Sequence, residues 1–411
     1  MWQSTNFHSM HKYRAVLIFS GLVLICWIPF SCGSDPSSPD SFERFSDRYT
    51  AMEGDFHVHA SGASNDTGGD SWPSEIAESA RASGFDFIVL MDHSNSTGSD
   101  PDTTFEDPAL FNMGPEFPYW DSAALLSDPD FLMIDGCELS PRQTEVNFLQ
   151  PTGHIGCLPA DLSTFDPNIS FEDRPMGSVD GDGTVQQVLD AGGIPLLFHP
   201  YAVAPWIRYD WSSYSYAGME VWNGTGGWDE FDEAARKAWL CDLLLGRQVF
   251  PIGGSDNHRV NIPVPGSGSD PALAYPSTIV WSDGQDWPSV VMGLDRGLIT
   301  IREGSSELQL SAHDEDGRIV TEGGDWVFWE AMADPLAENP VLTISRCISC
   351  EDPRPSPVAS PELGEEIIVE INLTPGEKQN GFFEALEGGI YHAILRTADG
   401  HYGALSGAVR P

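Results

Sequence analysis

Basic side chains are scarce in this chain of 411 residues. It holds 20 Lys and Arg against 62 Asp and Glu, which gives a formal net charge of −42. Binding to nucleic acid is driven by Lys and Arg that displace counterions from phosphates, so this balance excludes a nucleic-acid partner. Binding to anionic lipid headgroups is disfavoured for the same reason. The acidic charge is spread along the chain, which is typical of a surface that favours solubility.

The chain also lacks a GxSxG motif, a heptad pattern and an internal repeat. These absences disfavour a serine hydrolase of the nucleophile-elbow type, a coiled coil and a solenoid. Cysteine is sparse too, with 7 residues. The CxxC of Cys347 and Cys350 has no second pair beside it, so we predict a local disulfide rather than a zinc site. Cys137, Cys157 and Cys241 are expected to be buried free thiols.

Residues 1–31 have the order of an export signal. Lys12 and Arg14 precede the apolar run Ala15–Ile28, which is too short for a comfortable membrane span of about 20 residues. Cys32 and a polar, Ser- and Pro-rich stretch follow, so we predict a flexible tether over residues 32–50. The region resembles a bacterial lipoprotein signal, which implies a lipid on Cys32 as the only membrane contact, at the cell envelope. Periplasmic or secreted release is the second hypothesis, and an uncleaved anchor is the third.

Residues 51–304 alternate short apolar strands with helical segments that end at glycines, among them Gly84, Gly192 and Gly246. This alternation predicts an α/β fold with a parallel sheet, and seven such strands favour a barrel. From residue 305 to 411 the pattern changes to short strand-like runs separated by turns such as Asp-Glu-Asp-Gly. That pattern predicts a small antiparallel β-sandwich.

Six of the 11 histidines lie at or near predicted strand ends in residues 51–304. They are His57, His59, His93, His154, His199 and His258. The carboxylates Asp92, Glu138 and Asp256 occupy similar positions. His57 and His59 are two residues apart on a strand, so both face one side and can bind one ion. Because the C-terminal ends of barrel strands meet at one mouth, the sequence predicts a site there for divalent ions such as zinc, manganese or iron.

Together these motifs resemble the PHP (polymerase and histidinol phosphatase) superfamily. The resemblance rests on Gly54–His59, Asp92-His93, Glu138, His154, His199-Pro200 and Gly254–His258. The chain is most similar to the exported branch that includes carbaryl hydrolase. The resemblance implies a distorted (β/α)7 barrel over residues 51–304 with two or three metal ions at its mouth, followed by an accessory sandwich over residues 305–411.

The resemblance also implies a ligand set. One ion would take His57, His59, Glu138 and Asp256; a second would share Glu138 as a bridge with His154 and His199; a third would take His93 and His258. Asp92 would lie in or just behind this set. Many members add a histidine to the third ion at the position of Asn65, which Asp66 follows here. A third ion is therefore expected to bind more weakly than the other two.

The chemistry expected of such a centre is hydrolysis. Two close cations lower the pKa of a shared water, so that a metal-activated hydroxide attacks the substrate, and they stabilise charge on a phosphoryl or carbonyl oxygen. The candidate catalytic residues are Glu138, Asp256 and His258, with Asp256 or His258 as the proton shuttle. Candidate substrate contacts are Arg142, Asn223 and Arg259.

Three functions follow as hypotheses. The first is an exported phosphoesterase acting on a small molecule. The second is a carbamate, ester or amide hydrolase with the same metal site, which the aromatic-rich stretch 201–228 would suit as an apolar wall. The third is a surface binding protein without catalysis. The complete set of candidate metal ligands disfavours the third, because a binding protein has no need of open metal positions.

Overall fold

The computed structural model describes residues 38–61, 64, 67, 71–93, 119–139, 154–165, 181–201, 215–224, 228–260, 272–352, 360–398 and 402–411. The predicted signal peptide and Cys32 lie outside these residues. Asp35–Pro411 forms one compact unit. Among the described helices, none is long and apolar enough to cross a membrane.

The fold is of the mixed α/β type, with six α-helices interspersed among the strands of the described residues up to about residue 300. The helices are α1 (Phe45–Arg48), α2 (Pro73–Ser83), α3 (Tyr119–Leu126), α4 (Gly181–Asp190), α5 (Glu230–Leu244) and α6 (Trp287–Asp295). The strands are β1 (Thr50–Val58), β2 (Phe87–Leu90), β3 (Leu132–Asp135), β4 (Cys137–Leu139), β5 (His154–Pro159), β6 (Gly193–Phe198), β7 (Gly218–Asn223), β8 (Phe250–Gly254), β9 (Ser277–Ser282), β10 (Ile299–Arg302), β11 (Glu307–His313), β12 (Ile319–Val320), β13 (Trp326–Met332), β14 (Val341–Glu351), β15 (Glu362–Asn372), β16 (Gln379–Glu384), β17 (Ile390–Arg396) and β18 (Tyr402–Ser406).

Local sequence explains where the helices begin and end. Helix α5 begins after Asp229, whose carboxylate accepts hydrogen bonds from the backbone N–H groups of Phe231 and Asp232. Helix α2 carries Pro73 at its first turn and ends at Gly84, whose φ of 82° is left-handed. The helices predicted to end before Gly84, Gly192 and Gly246 are thus present as α2, α4 and α5.

The strands form three sheets among the described residues. A nine-stranded sheet has the order β15-β14-β17-β18-β10-β9-β1-β2-β3, a five-stranded sheet has the order β4-β5-β6-β7-β8, and a four-stranded sheet has the order β12-β11-β13-β16. The five-stranded sheet meets the nine-stranded one through two isolated parallel bridges, Val58 to Asn257 and His93 to Glu138. No single closed sheet is present in the described part of the chain, so the seven-stranded barrel stays a prediction.

The strands of residues 51–304 are not all parallel, which corrects the prediction of a parallel sheet from the alternating pattern. β1, β2 and β3 are parallel, as are β6, β7 and β8. β5, however, runs antiparallel to both β4 and β6. The sequence carries no signal for this reversal, because a connection long enough to hold a helix can return the chain in either direction.

After residue 304 the strands are antiparallel and belong to two different sheets. β11, β12, β13 and β16 make the four-stranded sheet, whereas β14, β15, β17 and β18 extend the nine-stranded sheet that also holds β1. Side chains of both sheets share one buried cluster, which includes Leu310, Trp329, Ile344 and Tyr391. The C-terminal residues therefore do not form a sheet system of their own, and a separate sandwich domain stays a prediction.

From Ser38 onward, the segment predicted as a tether packs on the four-stranded sheet. Phe42 is buried, with ring centroids 4.8 Å from Phe382 and 5.1 Å from His313. The backbone N–H of Phe45 donates to Gln309 Oε1 at 3.2 Å. Residues 38–49 thus lie against the C-terminal part of the fold.

The disulfide joins Cys241 on α5 to Cys350 on β14, and Cys347 is a buried free thiol. The prediction of a Cys347–Cys350 bridge was therefore wrong, as was that of a free Cys241. β14 is extended, and three residues of strand span about 10 Å, more than the Cα separation that a disulfide bridges. Cys137 and Cys157 are buried free thiols, as predicted.

Candidate metal centre

The predicted ligands converge where the two main sheets meet. The six histidines lie at or next to strand termini. His57 is in β1 and His59 directly follows it, His93 follows β2, His154 begins β5, His199 follows β6 and His258 follows β8. Two carboxylates join them, Glu138 from β4 and Asp256 from the segment after β8. All are buried except Asp256 and His258, whose side chains are 20% and 17% exposed.

Glu138 lies at the centre of the cluster. Its Oε1 is 2.6 Å from His154 Nδ1 and 3.1 Å from His199 Nε2. Its Oε2 is 2.8 Å from His93 Nδ1. One carboxylate therefore faces three imidazoles from different strands, two through Oε1 and one through Oε2. A carboxylate in this position has the two oxygens needed to serve two ions.

His57 and His59 face the same side, as their spacing predicts. Their Nε2 atoms are 3.1 Å apart. Asp256 Oδ1 lies 3.1 Å from His59 Nε2 and 3.4 Å from His57 Nε2. Three ligand atoms from two distant segments of the chain thus point at one another.

Four overlapping groups of three side chains could each hold a metal ion, since their ligand atoms lie within 4.8 Å of one another. The groups are His57 with His59 and Asp256; His57 with Glu138 and His199; His93 with Glu138 and His154; and His59 with His93 and His258. Imidazole and carboxylate are ligands that zinc, manganese and iron accept. The donor set therefore fits divalent ions, while the assignment of each residue to an ion stays a prediction.

The imidazoles and carboxylates shift one another's titration. Burial alone would raise the pKa of Glu138, yet facing imidazoles, His154 first, hold it well below its ordinary value. Burial would likewise raise the pKa of Asp256, but His57 and the neighbouring imidazoles outweigh this effect. The pKa of Asp256 is therefore also well below its ordinary value. Both carboxylates are thus kept ionised, which is the form that binds a cation.

Two opposite pKa shifts occur among the histidines of the cluster. Burial lowers the pKa of His59 and of His154 to about 3, so both rings are neutral and able to donate a lone pair. His57 is also buried, but the carboxylates of Asp256 and Glu220 raise its pKa well above the ordinary value. A cation that binds to Nε2 of His57 would therefore compete with a proton.

Asp92 lies behind the cluster and is absent from the four groups. Its Oδ1 accepts hydrogen bonds from the backbone N–H of Ala60 at 2.6 Å and from Ser64 Oγ at 2.8 Å. Ser64 Oγ in turn lies 3.0 Å from His59 Nδ1. Asp92 thus acts on His59 through a serine that the sequence analysis did not single out, since neither spacing nor residue type marks Ser64.

The predicted substrate contacts have different positions. Asn223 lies at the edge of the cluster, where its Nδ2 donates to Glu220 Oε2 at 3.2 Å and to Asp256 Oδ2 at 3.4 Å. Arg259 is exposed and follows His258. Arg142, Asn65, Asp66 and residues 202–214 of the aromatic-rich stretch lie outside the described residues.

No protein-family model matches the chain, and no curated protein matches it. Among solved structures, it is similar to a two-domain protein from Bacteroides vulgatus described as containing a predicted PHP-like metal-dependent phosphoesterase, at 16% identity and a TM-score of 0.43, over 88% of this chain and 96% of that one. It is also similar to Endonuclease Q bound to a duplex with an abasic lesion, at 14% identity and a TM-score of 0.39, over 59% of this chain and 56% of that one. PsfC from Pseudomonas syringae matches at 13% identity and a TM-score of 0.35, over 59% and 87%. Likenesses this weak carry no weight for function, which has to be judged from the cluster itself.

Proposed function

We propose that this chain is a metal-dependent hydrolase of the PHP superfamily that cleaves a small phosphoester. The observation that carries the proposal is the cluster of six imidazoles around Glu138 and Asp256, with ligand atoms within 4.8 Å in four overlapping groups. Within the described residues, the ion-pair partners of these two carboxylates are all histidines. Two buried carboxylates among these imidazoles call for cations, either protons on rings such as His57 or metal ions, because unpaired buried charge is costly.

Divalent ions held here would activate a water as nucleophile and polarise the phosphoryl oxygen. The protein residues then have three tasks. Glu138 would offer its two oxygens to the ions, the buried imidazoles would serve as further ligands away from bulk water, and Asp256 or His258 would move the proton. Asp256 and His258 suit this last task because they are the cluster members that reach solvent, and His258 Nδ1 donates to the Asp256 carbonyl at 2.8 Å.

The phosphoester is favoured by the motif resemblance, and a carbamate, ester or amide is the alternative bond for the same centre. In both cases the fold would be the distorted (β/α)7 barrel with its C-terminal sandwich. A test panel of nitrophenyl phosphate, nitrophenyl acetate and a nitrophenyl carbamate separates the bonds, with zinc or manganese supplied. We expect turnover of the phosphate, lost in His59→Ala and retained in His313→Gln, a histidine change outside the cluster.

Each other result has a defined meaning. Turnover of the acetate or carbamate alone would replace the phosphoesterase by the alternative hydrolase. Bound metal with no turnover of any of the three would favour the surface binding protein. A purified chain that takes up no zinc or manganese would overturn the proposal.

Two or three ions are proposed for the centre, with the third weaker. Titration calorimetry of the metal-free protein is expected to resolve two tight events and a third that is lost on dialysis. His93 and His258 are the candidate ligands of the weak ion, because His59, the third member of their group, is needed by the first ion and the pair includes no carboxylate. Three equally tight events would contradict this order.

Export with a lipid on Cys32 is proposed from the sequence of residues 1–40. We expect the mature chain to begin at Cys32 and to partition into detergent, whereas Cys32→Ser partitions into water. An intact mass that still includes Ser31 or Met1 would contradict lipoprotein processing. Aqueous partitioning of both proteins would contradict the anchor.

A further inference from the structure

Glu220 is a buried carboxylate that lies behind the cluster and touches two of its histidines. It sits on β7, between β6 and β8, and is 1% exposed. Its Oε1 is 3.0 Å from Nδ1 of His57, and its Oε2 accepts the backbone N–H of His199 at 2.8 Å. One side chain therefore connects a histidine of the nine-stranded sheet with one that follows a strand of the five-stranded sheet.

The contact with His57 decides which ring nitrogen faces the cluster. A carboxylate oxygen accepts hydrogen bonds, so in this contact Nδ1 of His57 donates its hydrogen to Glu220 Oε1. In the neutral ring, which is the form that binds a metal ion, Nε2 is then the atom with the lone pair, and it lies 3.1 Å from His59 Nε2 and 3.4 Å from Glu138 Oε1. Without Glu220, the neutral ring would be able to place its hydrogen on Nε2 and block the ligand atom.

The contact with His199 stabilises an unusual backbone. His199 has a φ of 28° and Asp256 a φ of 54°, both in the region that non-glycine residues avoid. Such conformations are unfavourable and persist when neighbouring groups hold them. Glu220 Oε2 accepts from His199 N–H directly, and it reaches Asp256 through Nδ2 of Asn223.

The chain leaves room for this arrangement at Gly254, the last residue of β8. A Cβ atom at this position would lie 2.7 Å from Glu220 Oε1 and 2.5 Å from the Cβ of His57. Both distances are shorter than real contacts of a Cβ atom. Glycine at this position therefore permits the approach of the carboxylate to His57.

We infer that Glu220 is a positioning residue that sets the tautomer of His57 and the backbone of His199, and so controls the affinity of the cluster for divalent cations. The inference rests on the proposed metal centre but concerns a residue outside it. Carboxylates that orient ligand histidines in this way usually contribute about 10–100-fold to metal affinity.

The test measures zinc affinity by competition with a chromophoric chelator in three variants of the full chain. Glu220→Gln keeps the volume but presents an amide NH₂ to one of two donors, and Glu220→Ala removes both contacts. Asp232→Asn is the matched control: Asp232 is also buried and accepts from the backbone N–H of Asn223, close to Glu220 in the chain. We expect the zinc Kd to rise about 10-fold or more in both Glu220 variants and to stay within about twofold in the control.

A second readout separates positioning from a general loss of stability. In zinc-loaded protein labelled with ¹⁵N-histidine, wild-type His57 is expected to show a protonated Nδ1 and a metal-bound Nε2. Both signals should change in Glu220→Gln, even if its thermal unfolding matches that of the control. If Glu220→Ala fails to fold, Glu220→Gln alone decides.

The outcomes distinguish the two levels of the proposal. If wild type binds no zinc, the proposed metal centre is wrong and the role of Glu220 is lost with it. If wild type binds zinc and Glu220→Gln binds it with the same Kd and the same His57 tautomer, the metal centre stands and the inference about Glu220 is overturned.

Discussion

Removal of the Glu138 carboxylate is expected to release more metal than removal of any single histidine. Glu138 is buried, and its two oxygens face His154, His199 and His93 at 2.6 to 3.1 Å. An imidazole nitrogen has one lone pair and therefore serves one ion, even where it belongs to two of the candidate groups. A carboxylate has two oxygens and can serve two.

The magnitude follows from a count of ligands in the proposed arrangement. Glu138→Ala would leave the first ion with His57, His59 and Asp256, and the second with His154 and His199. Stable zinc sites in proteins use about three or four protein ligands. In His154→Ala the first ion keeps all four ligands, so we expect about one tightly held ion there, against about two in wild type. In Glu138→Ala the second ion is lost and the first falls from four ligands to three, so part of the first ion is lost as well and less than about one remains after dialysis.

The assay is elemental analysis of purified, dialysed protein, with Asp232→Asn as the control for loss of a buried acid. That control should keep the wild-type metal content, since its hydrogen bonds go to the backbone of Asn223 and Asp229. Full metal content in Glu138→Ala would refute the bridging role. Equal loss in Glu138→Ala and His154→Ala would show that the carboxylate serves one ion only.

Three further predictions concern stability and are measured by urea denaturation. Asp55→Asn is expected to lower the free energy of unfolding by about 3 kcal/mol. The buried carboxylate accepts four hydrogen bonds, and an amide NH₂ would face one of these donors, such as Ala274 N–H at 2.7 Å. A change below about 0.5 kcal/mol would contradict this expectation. Burial lowers the pKa of His313 from 6.5, so the unfolded chain takes up this proton at higher pH than the folded one, and stability falls as the pH drops below 6.5. In His313→Gln this part of the pH dependence should disappear, and an unchanged pH profile would rule it out. Cys241→Ser opens a disulfide whose cysteines are 109 residues apart, so we expect a loss of about 2–4 kcal/mol, equalled by reduction of the wild type; no loss on reduction would contradict the Cys241–Cys350 pairing.

The proximity of the histidines could be predicted from the sequence because strand ends gather at a sheet edge. His57 and His59 needed only the period of a strand, and His93, His199 and His258 needed only their place after apolar runs. His154 is different, because it begins its strand. Only the antiparallel direction of β5 brings it beside Phe198 and so next to His199, and nothing in the local pattern specifies that direction.

The supporting residues could not be predicted with the same ease. Glu220 stands in an apolar strand, where a buried carboxylate signals that partners must exist but not which ones they are. Ser64 carries no signal at all, since a serine in a Gly- and Ser-rich loop is ordinary. The Cys241–Cys350 pairing depends on how α5 packs on β14, which is a property of the whole fold and not of the spacing of cysteines.

The place of β18 in the nine-stranded sheet has a consequence for biosynthesis. Tyr402–Ser406 lies between β10 and β17 in the sheet, yet it follows both strands in the chain and is synthesised after them. Until then β10 and β17 each have an unpaired side, and open strand edges of this kind promote aggregation. The two parts of the sheet can therefore join only once residues 402–406 have been synthesised, and a chain that terminates before residue 402 keeps two unpaired strand edges.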